Sequence, residues 1–66
     1  MRVHFDEETD AVYFRLDDSP IADSEEVRPG VVLDFNGKNE VVGVEILRAG
    51  KRVSPAFLKQ IQFEIA

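Results

Sequence analysis

The chain has 66 residues, a formal net charge of −5 and no cysteine. A chain of this length folds as one small domain, here predicted to span residues 1–66. The lack of cysteine excludes disulfides and thiolate zinc sites, and the acidic balance disfavours nucleic acid as a direct partner, because phosphate contacts need a basic face. The sequence has no signal peptide and no apolar run of membrane-spanning length, so we expect a cytoplasmic protein without a membrane partner.

The N-terminal part of the chain has the pattern of a β-hairpin. Apolar and polar residues alternate before and after a polar turn at residues 6–9, and this two-residue period predicts half-buried strands. The pattern places Val3 opposite Val12. Asp10 is expected to cap the turn through its side chain.

The next segment begins with a predicted loop. Residues 17–20 consist of turn formers. Residues 21–28 are ambiguous: residues 24–28 are compatible with a short edge strand, on which the charged side chains would discourage pairing between sheet edges. Pro29 and Gly30 then reverse the chain.

A central hairpin over residues 31–46 gives the clearest pattern in the chain. Apolar residues occupy odd positions in the first arm and even positions in the second, so the numbers of facing residues must have an odd sum. A tight turn at Asn36 and Gly37 meets this condition. A four-residue loop, Asn36 to Asn39, is favoured, since Asn39 suits the left-handed position. The pairs in that register are Leu33 with Val42 and Val31 with Val44.

The C-terminal segment predicts a short helix. Ser54 is a typical N-cap residue, and Pro55 suits the first helical position. The apolar residues that follow at helical spacing are Phe57, Leu58 and Ile61. The helix is expected to end near residues 60–62, after which residues 63–65 are compatible with a return to an extended strand.

Together these elements predict an α+β fold. It is a small antiparallel β-meander of two hairpins, with four to six strands and one short C-terminal helix packed on one face. This helix is too short to cover the whole apolar face of the sheet. Either Phe63 and Ile65 extend the cover or a second chain does, so we expect a homo-oligomer, most simply a dimer.

The sequence contains no recognisable nucleophile, phosphate-loop or zinc motif. Asp6, Glu8 and Asp10 offer carboxylates for a hard cation such as calcium or magnesium, but a solvated turn explains them better. His4 with Glu45 could supply a general base, yet His4 lies on a strand without a nucleophile motif nearby. We therefore predict no catalytic residue, no metal and no cofactor, and a protein that is not an enzyme.

The face of the sheet opposite the apolar one mixes charged and apolar side chains, as expected for a solvated or a partner-binding surface. Cross-strand ion pairs explain its charged residues, and Gly43 leaves room for Tyr13 to pack over the strand. The residues predicted to contact a partner, on this face and on the edge strand, are Tyr13, Arg15, Glu25, Glu26, Asp34 and Glu45.

Three motifs carry a resemblance to a known family. They are Phe5-Asp6-x-Glu8-x-Asp10-Ala11-x-Tyr13-Phe14-x-Leu16, Ser24-x-Glu26-Val27-x-Pro29-Gly30-Val31-Val32-Leu33-Asp34-Phe35 and Val41-Val42-Gly43-Val44-Glu45-Ile46-Leu47. From about Val3 to Leu47 the chain resembles a prokaryotic family of small proteins known only as a domain of unknown function, number twenty-two eighty-three of its series. Asn39 stands where that family usually has glycine, and Arg48 stands where an acidic residue is common.

The resemblance implies a small β-meander with a short C-terminal helix and no established activity. Genes of this family are often described beside small toxin-like RNases, which implies an antitoxin role. Three hypotheses follow: a homodimeric, non-enzymatic module that binds a protein, with a basic protein as the expected partner; an antitoxin-like partner of a small RNase toxin; and a small metal-binding protein or enzyme that uses the acidic first turn.

Overall fold

The computed structural model describes residues 1–52, 54, 56 and 59–65. In this part of the chain the strands are β1 (Arg2–Asp6), β2 (Ala11–Arg15), β3 (Asp23–Arg28), β4 (Val31–Phe35) and β5 (Val41–Ile46), and the helix is α1 (Ala49–Arg52). The strands form one antiparallel sheet in the order β1-β2-β5-β4-β3. The predicted α+β fold is confirmed, with β3 as an edge strand.

Alternation along the strands gives the sheet two different faces. The apolar residues buried among those described are Ala11, Val12, Val42 and Ala49. The phenylalanines of the sheet are only partly buried. We define the apolar face by its side chains, Val3, Phe5, Val12, Phe14, Val31, Leu33, Phe35, Val42, Val44 and Ile46.

The other side of the sheet is the polar face, defined by His4, Tyr13, Arg15, Asp34 and Glu45. The connection from β2 to β3 runs along this side, where its Ile21 lines a groove together with polar-face residues such as Tyr13 and Asp34. Its ends extend the strand ladders, since the Leu16 N–H donates to the Val42 carbonyl at 2.8 Å and the Ala22 N–H donates to the Phe35 carbonyl at 2.7 Å. Its middle is held by the Arg15 guanidinium, which donates to the carbonyl of Ser19.

The first hairpin keeps the predicted faces but not the predicted partners. Val3 pairs with Phe14 and Phe5 pairs with Val12, so the expected pairing of Val3 with Val12 is wrong by two positions. The cause lies in the turn. The Asp6 carboxylate accepts the N–H groups of Glu8 at 3.0 Å and Thr9 at 3.4 Å, which fixes a loop between Asp6 and Ala11.

The capping role expected of the Asp10 side chain is also wrong. Asp10 takes a left-handed backbone with φ of 55°, and its side chain leaves the turn. Its Oδ1 accepts the N–H of Gly50 at 2.9 Å, and its carbonyl accepts the N–H of Ala49 at 2.8 Å. Asp10 therefore fastens the start of α1 to the first hairpin.

The central hairpin is closed one residue later than predicted. The Asn36 N–H donates to the Glu40 carbonyl at 2.9 Å, which leaves Gly37, Lys38 and Asn39 at the tip instead of a four-residue loop. Asn39 is left-handed as predicted, with φ of 63°. Asn36 is buried, with 8% of the residue exposed, and its carboxamide oxygen accepts the N–H groups of Lys38 and Glu40, so the side chain holds the loop together.

This loop has a consequence for the register of β5. It places Phe35 opposite Val41, so the two residue numbers have an even sum. Without a further change, this register would turn the apolar side chains of β5 to the wrong face. A bulge corrects it, because the next pair is Asp34 with Gly43 and Val42 is the extra residue. The predicted pairs Leu33 with Val42 and Val31 with Val44 are therefore wrong, and the observed pairs are Leu33 with Val44 and Val31 with Ile46.

The turn between β3 and β4 agrees with the prediction. Gly30 has φ of 81°, the conformation that a glycine after proline supplies in a tight turn. Its carbonyl accepts the N–H of Leu47 at 2.8 Å, which ties this turn to the end of β5.

The helix α1, Ala49–Arg52, lies before the start of the predicted helix at Ser54. Ala49 is buried, and α1 packs against β2. In the helix predicted from Ser54 onward, Pro55, Phe57 and Leu58 lie outside the described residues. Residues 60–65 have no regular secondary structure, so the return to a strand at 63–65 is not observed.

Candidate functional site

The polar face contains a hydrogen-bonded cluster built from three strands. The Tyr13 hydroxyl on β2 donates to Oδ2 of Asp34 on β4 at 2.7 Å. The Ser24 hydroxyl on β3 donates to Oδ1 of the same carboxylate at 2.6 Å. Both carboxylate oxygens of Asp34 therefore have a hydroxyl partner, and the bond from Tyr13 joins β2 to β4, which are not neighbours in the sheet.

Gly43 makes this cluster possible. It lies on β5, between β2 and β4, and pairs with both Arg15 and Asp34. A Cβ at this position would overlap the Tyr13 hydroxyl and would lie 2.9 Å from Oδ2 of Asp34. The predicted packing of Tyr13 over Gly43 is therefore confirmed, and its purpose is to let the tyrosine reach the carboxylate across an intervening strand.

Arg15 supports the cluster from one side. One guanidinium nitrogen donates to the Tyr13 hydroxyl at 3.4 Å and another donates to the Ser19 carbonyl. Its Nε is buried and has no hydrogen-bond partner among the described residues. Arg15 therefore uses neutral acceptors, and the predicted cross-strand ion pairs with Asp34 or Glu45 are not formed in the described part of the chain.

The loop that Arg15 contacts has one shifted acid. The Ser19 hydroxyl donates to Oδ2 of Asp17 at 2.8 Å. This hydrogen bond is the main cause that lowers the pKa of Asp17 below its ordinary value of 3.8, and the positive charge of Arg15 acts in the same direction. Asp17 is exposed, so it serves the loop and not a buried site.

A shallow groove of about 520 Å³ runs beside the cluster at the β1 edge of the sheet. Arg2, His4, Tyr13 and Arg15 line it. Arg2 stands directly opposite Arg15 in the register, and its guanidinium is 3.8 Å from an Asp18 carboxylate oxygen, with both side chains largely exposed. Such an exposed pair contributes at most about 1 kcal/mol.

The acidic first turn does not assemble a metal site. Asp6 binds backbone N–H groups within the turn, Asp10 binds the start of α1, and Glu8 is exposed. Across residues 1–52, 54, 56 and 59–65 there is no group of three or more His, Cys, Asp or Glu side chains placed to hold a metal ion. The three candidate ligands each have a separate environment.

The predicted partner-binding residues fall into two places. Tyr13, Arg15 and Asp34 meet in the cluster, and Glu45 pairs with Tyr13 in the register. Glu25 and Glu26 lie on β3, where both are exposed. Glu25 pairs with Leu33 and Glu26 pairs with Val32, so they belong to opposite faces of the edge strand.

Ser24 is the member of the cluster that the sequence analysis missed. It pairs with Asp34 across β3 and β4, and this register depends on the turn at Pro29 and Gly30. The register shift between Glu26 and Arg28 changes the pairs that lie beyond it. Counting residues outward from the turn therefore does not place Ser24 opposite Asp34 unless this shift is known.

The comparison with protein families matches residues 2–49, a span that contains all the described strands and the first residue of α1. The matching model is described as Protein of unknown function (DUF2283). The chain belongs to this family. The resemblance predicted from the three motifs is thus confirmed, and the match to DUF2283 includes the turn, bulge and glycine that build the polar cluster.

The DUF2283 match brings no activity with it. Neither the search of curated proteins nor the search of solved structures found a protein that matches the chain. Among the described residues, no helix is both long enough and apolar enough to cross a membrane. What the protein does must therefore be argued from its own surfaces.

Proposed function

We propose that this DUF2283 protein is a non-enzymatic protein-interaction module that works as a homodimer. The observation that supports this most directly is the apolar face of the sheet. Its three phenylalanines, Phe5, Phe14 and Phe35, are each only partly buried. An exposed apolar surface of this kind is typical of a protein–protein contact.

The energetic argument favours association over a free monomer. Burial of apolar surface contributes about 25 cal/mol per Å², and a domain of this size has little stability to spare. Val42 is the largest side chain that is fully buried among the described residues, with 1% exposed. A partner that covers the rest of the apolar face adds the burial that this chain lacks on its own.

The polar cluster fits a binding role better than a catalytic one. Asp34 accepts hydroxyl hydrogen bonds on both oxygens, and Arg15 donates to the Tyr13 hydroxyl and to a backbone carbonyl. These contacts fix the side chains in place and leave a rigid polar surface. A rigid surface lowers the entropy cost of binding a second protein.

The oligomeric state gives the first test of this proposal. Sedimentation velocity over a wide range of protein concentrations should show a reversible monomer–dimer equilibrium, with the dimer dominant at the upper end. A single species with the monomer mass at every concentration would contradict the homodimer. Circular dichroism on the same samples controls for unfolding.

A second candidate is an antitoxin-like protein that binds a small basic RNase toxin. The observation in its favour is the acidic edge strand β3, on which Asp23, Glu25 and Glu26 are all exposed. Several carboxylates along one sheet edge favour a basic partner through electrostatic complementarity. The cytoplasm is the proposed compartment for this role.

A tagged pull-down from native-host lysate separates the two candidates. Recovery of one small basic protein in near-equal amount, lost in a Glu25→Gln/Glu26→Gln variant, supports the antitoxin-like role. The matched control is Glu7→Gln/Glu8→Gln, which removes the same charge from the exposed first turn. Recovery of the bait alone would contradict the antitoxin-like role and favour a module that binds only a second copy of itself.

A further inference from the structure

We propose that, in this homodimer, the C-terminal segment of each chain covers the apolar face of the other chain. The segment is residues 61–65, here called the C-terminal arm. The inference rests on the proposed homodimer and names the part of the second copy that fills the contact.

The C-terminal arm has the pattern of an extended segment with one apolar side. Ile61, Phe63 and Ile65 alternate with Gln62 and Glu64. The apolar side chains are 67%, 75% and 86% exposed, respectively, so they have no cover within their own chain. Alternation with a period of two is the pattern of a segment that buries one side.

The apolar face has the complementary property. It is built from Val, Leu, Ile and Phe side chains, and most of them are only partly buried. Val3 at its margin is 38% exposed, and the phenylalanines inside it are partly exposed. The described chain therefore has two uncovered apolar surfaces. One is the apolar face of the sheet, and the other is the C-terminal arm, whose apolar side chains stay exposed.

The total surface area shows how much cover is missing. The accessible surface of the chain is 5343 Å². A compact monomer of 7.5 kDa has about 4,200 Å² of accessible surface. The excess is roughly 1,100 Å² per chain, and two chains that bury this much together reach roughly 2,200 Å², which is the size of a stable dimer interface.

A second copy of the chain would cover both the C-terminal arm and the apolar face. Each chain offers one arm and one face, so two chains related by a two-fold axis satisfy each other with nothing left over. A contact between β3 edges would instead bring Asp23, Glu25 and Glu26 of two chains together, and the register shift between Glu26 and Arg28 also disfavours strand pairing there. The exchange of arms avoids this edge.

The test compares two neighbouring substitutions in the full chain by sedimentation velocity. Phe63→Glu places a carboxylate on the apolar side of the arm, and Gln62→Glu places the same charge on its polar side. Because both side chains are exposed in the isolated chain, neither substitution removes a folding contact. Phe63→Glu should raise the Kd for dimerisation by roughly tenfold or more, and Gln62→Glu by less than about threefold.

Contact across the chains is then checked directly. In a dimer mixed from isotope-labelled and unlabelled chains, intermolecular NOEs should join the Phe63 ring to side chains of the apolar face such as Phe14 and Leu33. The inference would be overturned if these NOEs arose within one chain and if Phe63→Glu lowered the Tm by an amount that does not depend on protein concentration. The arm would then cover the sheet of its own chain.

The remaining outcomes separate this inference from the proposed function. A wild-type dimer whose Kd changes equally in Phe63→Glu and Gln62→Glu would overturn the arm exchange but leave the homodimer standing. A wild-type chain that stays monomeric at all concentrations would overturn both.

Discussion

At the scale of single residues, Gly43 determines whether the polar cluster can form. A Gly43→Ala substitution places a methyl group against the Tyr13 hydroxyl and within 3.0 Å of the ring carbon that carries it. We expect a loss of about 1–3 kcal/mol in the free energy of unfolding, because overpacking in a fitted site has this cost. Urea unfolding followed by circular dichroism measures it.

A double-mutant cycle tests the stated cause. If the hydroxyl is the obstacle, Gly43→Ala should cost less in a Tyr13→Phe background than in the wild type. Gly37→Ala is the matched control, since a Cβ there has no neighbour within 4 Å. Equal costs in both backgrounds would show that the loss comes from the strand itself and not from the tyrosine.

Asn36 has a similar importance for the central loop. It is nearly buried, and its carboxamide oxygen accepts two backbone N–H groups while its amide donates to Glu40 at 3.0 Å. Asn36→Ala should lower the free energy of unfolding by about 1–3 kcal/mol, because backbone donors lose their acceptor. Lys38→Ala, at the exposed tip, should stay within about 0.5 kcal/mol in the same unfolding measurement.

Asp17 gives a residue-scale prediction on pH. The hydroxyl of Ser19 lowers the pKa of Asp17 in the folded chain, so the ionised form stabilises the fold above pH 3.8, and this contribution is lost as the pH falls through the lowered value. Ser19→Ala should move the pKa of Asp17 up towards 3.8, measured by NMR titration of its carboxyl carbon. Ser24→Ala, which removes the bond to Asp34, should leave that titration unchanged.

At the scale of elements, the helix α1 depends on a residue in the turn of the first hairpin. Asp10 accepts the N–H of Gly50 with its carboxylate and that of Ala49 with its carbonyl. Asp10→Gly keeps the left-handed backbone but removes the carboxylate, so the Gly50 amide should exchange faster with solvent while amides of β4 and β5 stay protected. Hydrogen exchange by NMR measures both.

A conservative variant separates the effect of the hydrogen bond from the effect of the negative charge. Asp10→Asn retains an oxygen that can accept the Gly50 N–H and tolerates the left-handed backbone. Its exchange rate at Gly50 should lie close to that of the wild type. Exchange as fast as in Asp10→Gly would mean that the negative charge, and not the hydrogen bond, stabilises α1.

The elements also show where sequence patterns succeed and where they stop. The alternation of Val31, Leu33 and Phe35 predicted a strand and its buried face, because side-chain direction in a strand depends only on position along the chain. The partner of Leu33 was missed, because a loop that closes between Asn36 and Glu40 is combined with a bulge at Val42. The loop and the bulge each shift the register. The alternation pattern shows only which face each side chain lies on, and the two shifts together leave that face unchanged.

At the scale of the whole molecule, stability should depend on protein concentration. A homodimer that unfolds to separate chains gains stability by mass action, so its Tm rises as the concentration is raised. We expect this rise for the wild type and a weaker one for Phe63→Glu, measured by differential scanning calorimetry. A Tm that is independent of concentration would place all the stability within one chain.

The sequence by itself determined the strands β1, β2, β4 and β5, the apolar side of each, and the tight turn at Pro29 and Gly30. These features follow from neighbours along the chain, through side-chain alternation and the backbone preferences of single residues. The odd-sum rule for facing residues holds in the first hairpin and, except at its loop end, in the central hairpin, and the sequence motifs also led to the correct family.

Only the tertiary structure decided the sheet order, the position of the helix and the membership of the polar cluster. Tyr13, Ser24 and Asp34 come from three strands and meet only after β5 has been inserted between β2 and β4. The helix α1 begins at Ala49, where Asp10, which is distant in sequence, supplies acceptors for the N–H groups of Ala49 and Gly50. Contacts between distant residues depend on how the elements pack, and no local pattern specifies them.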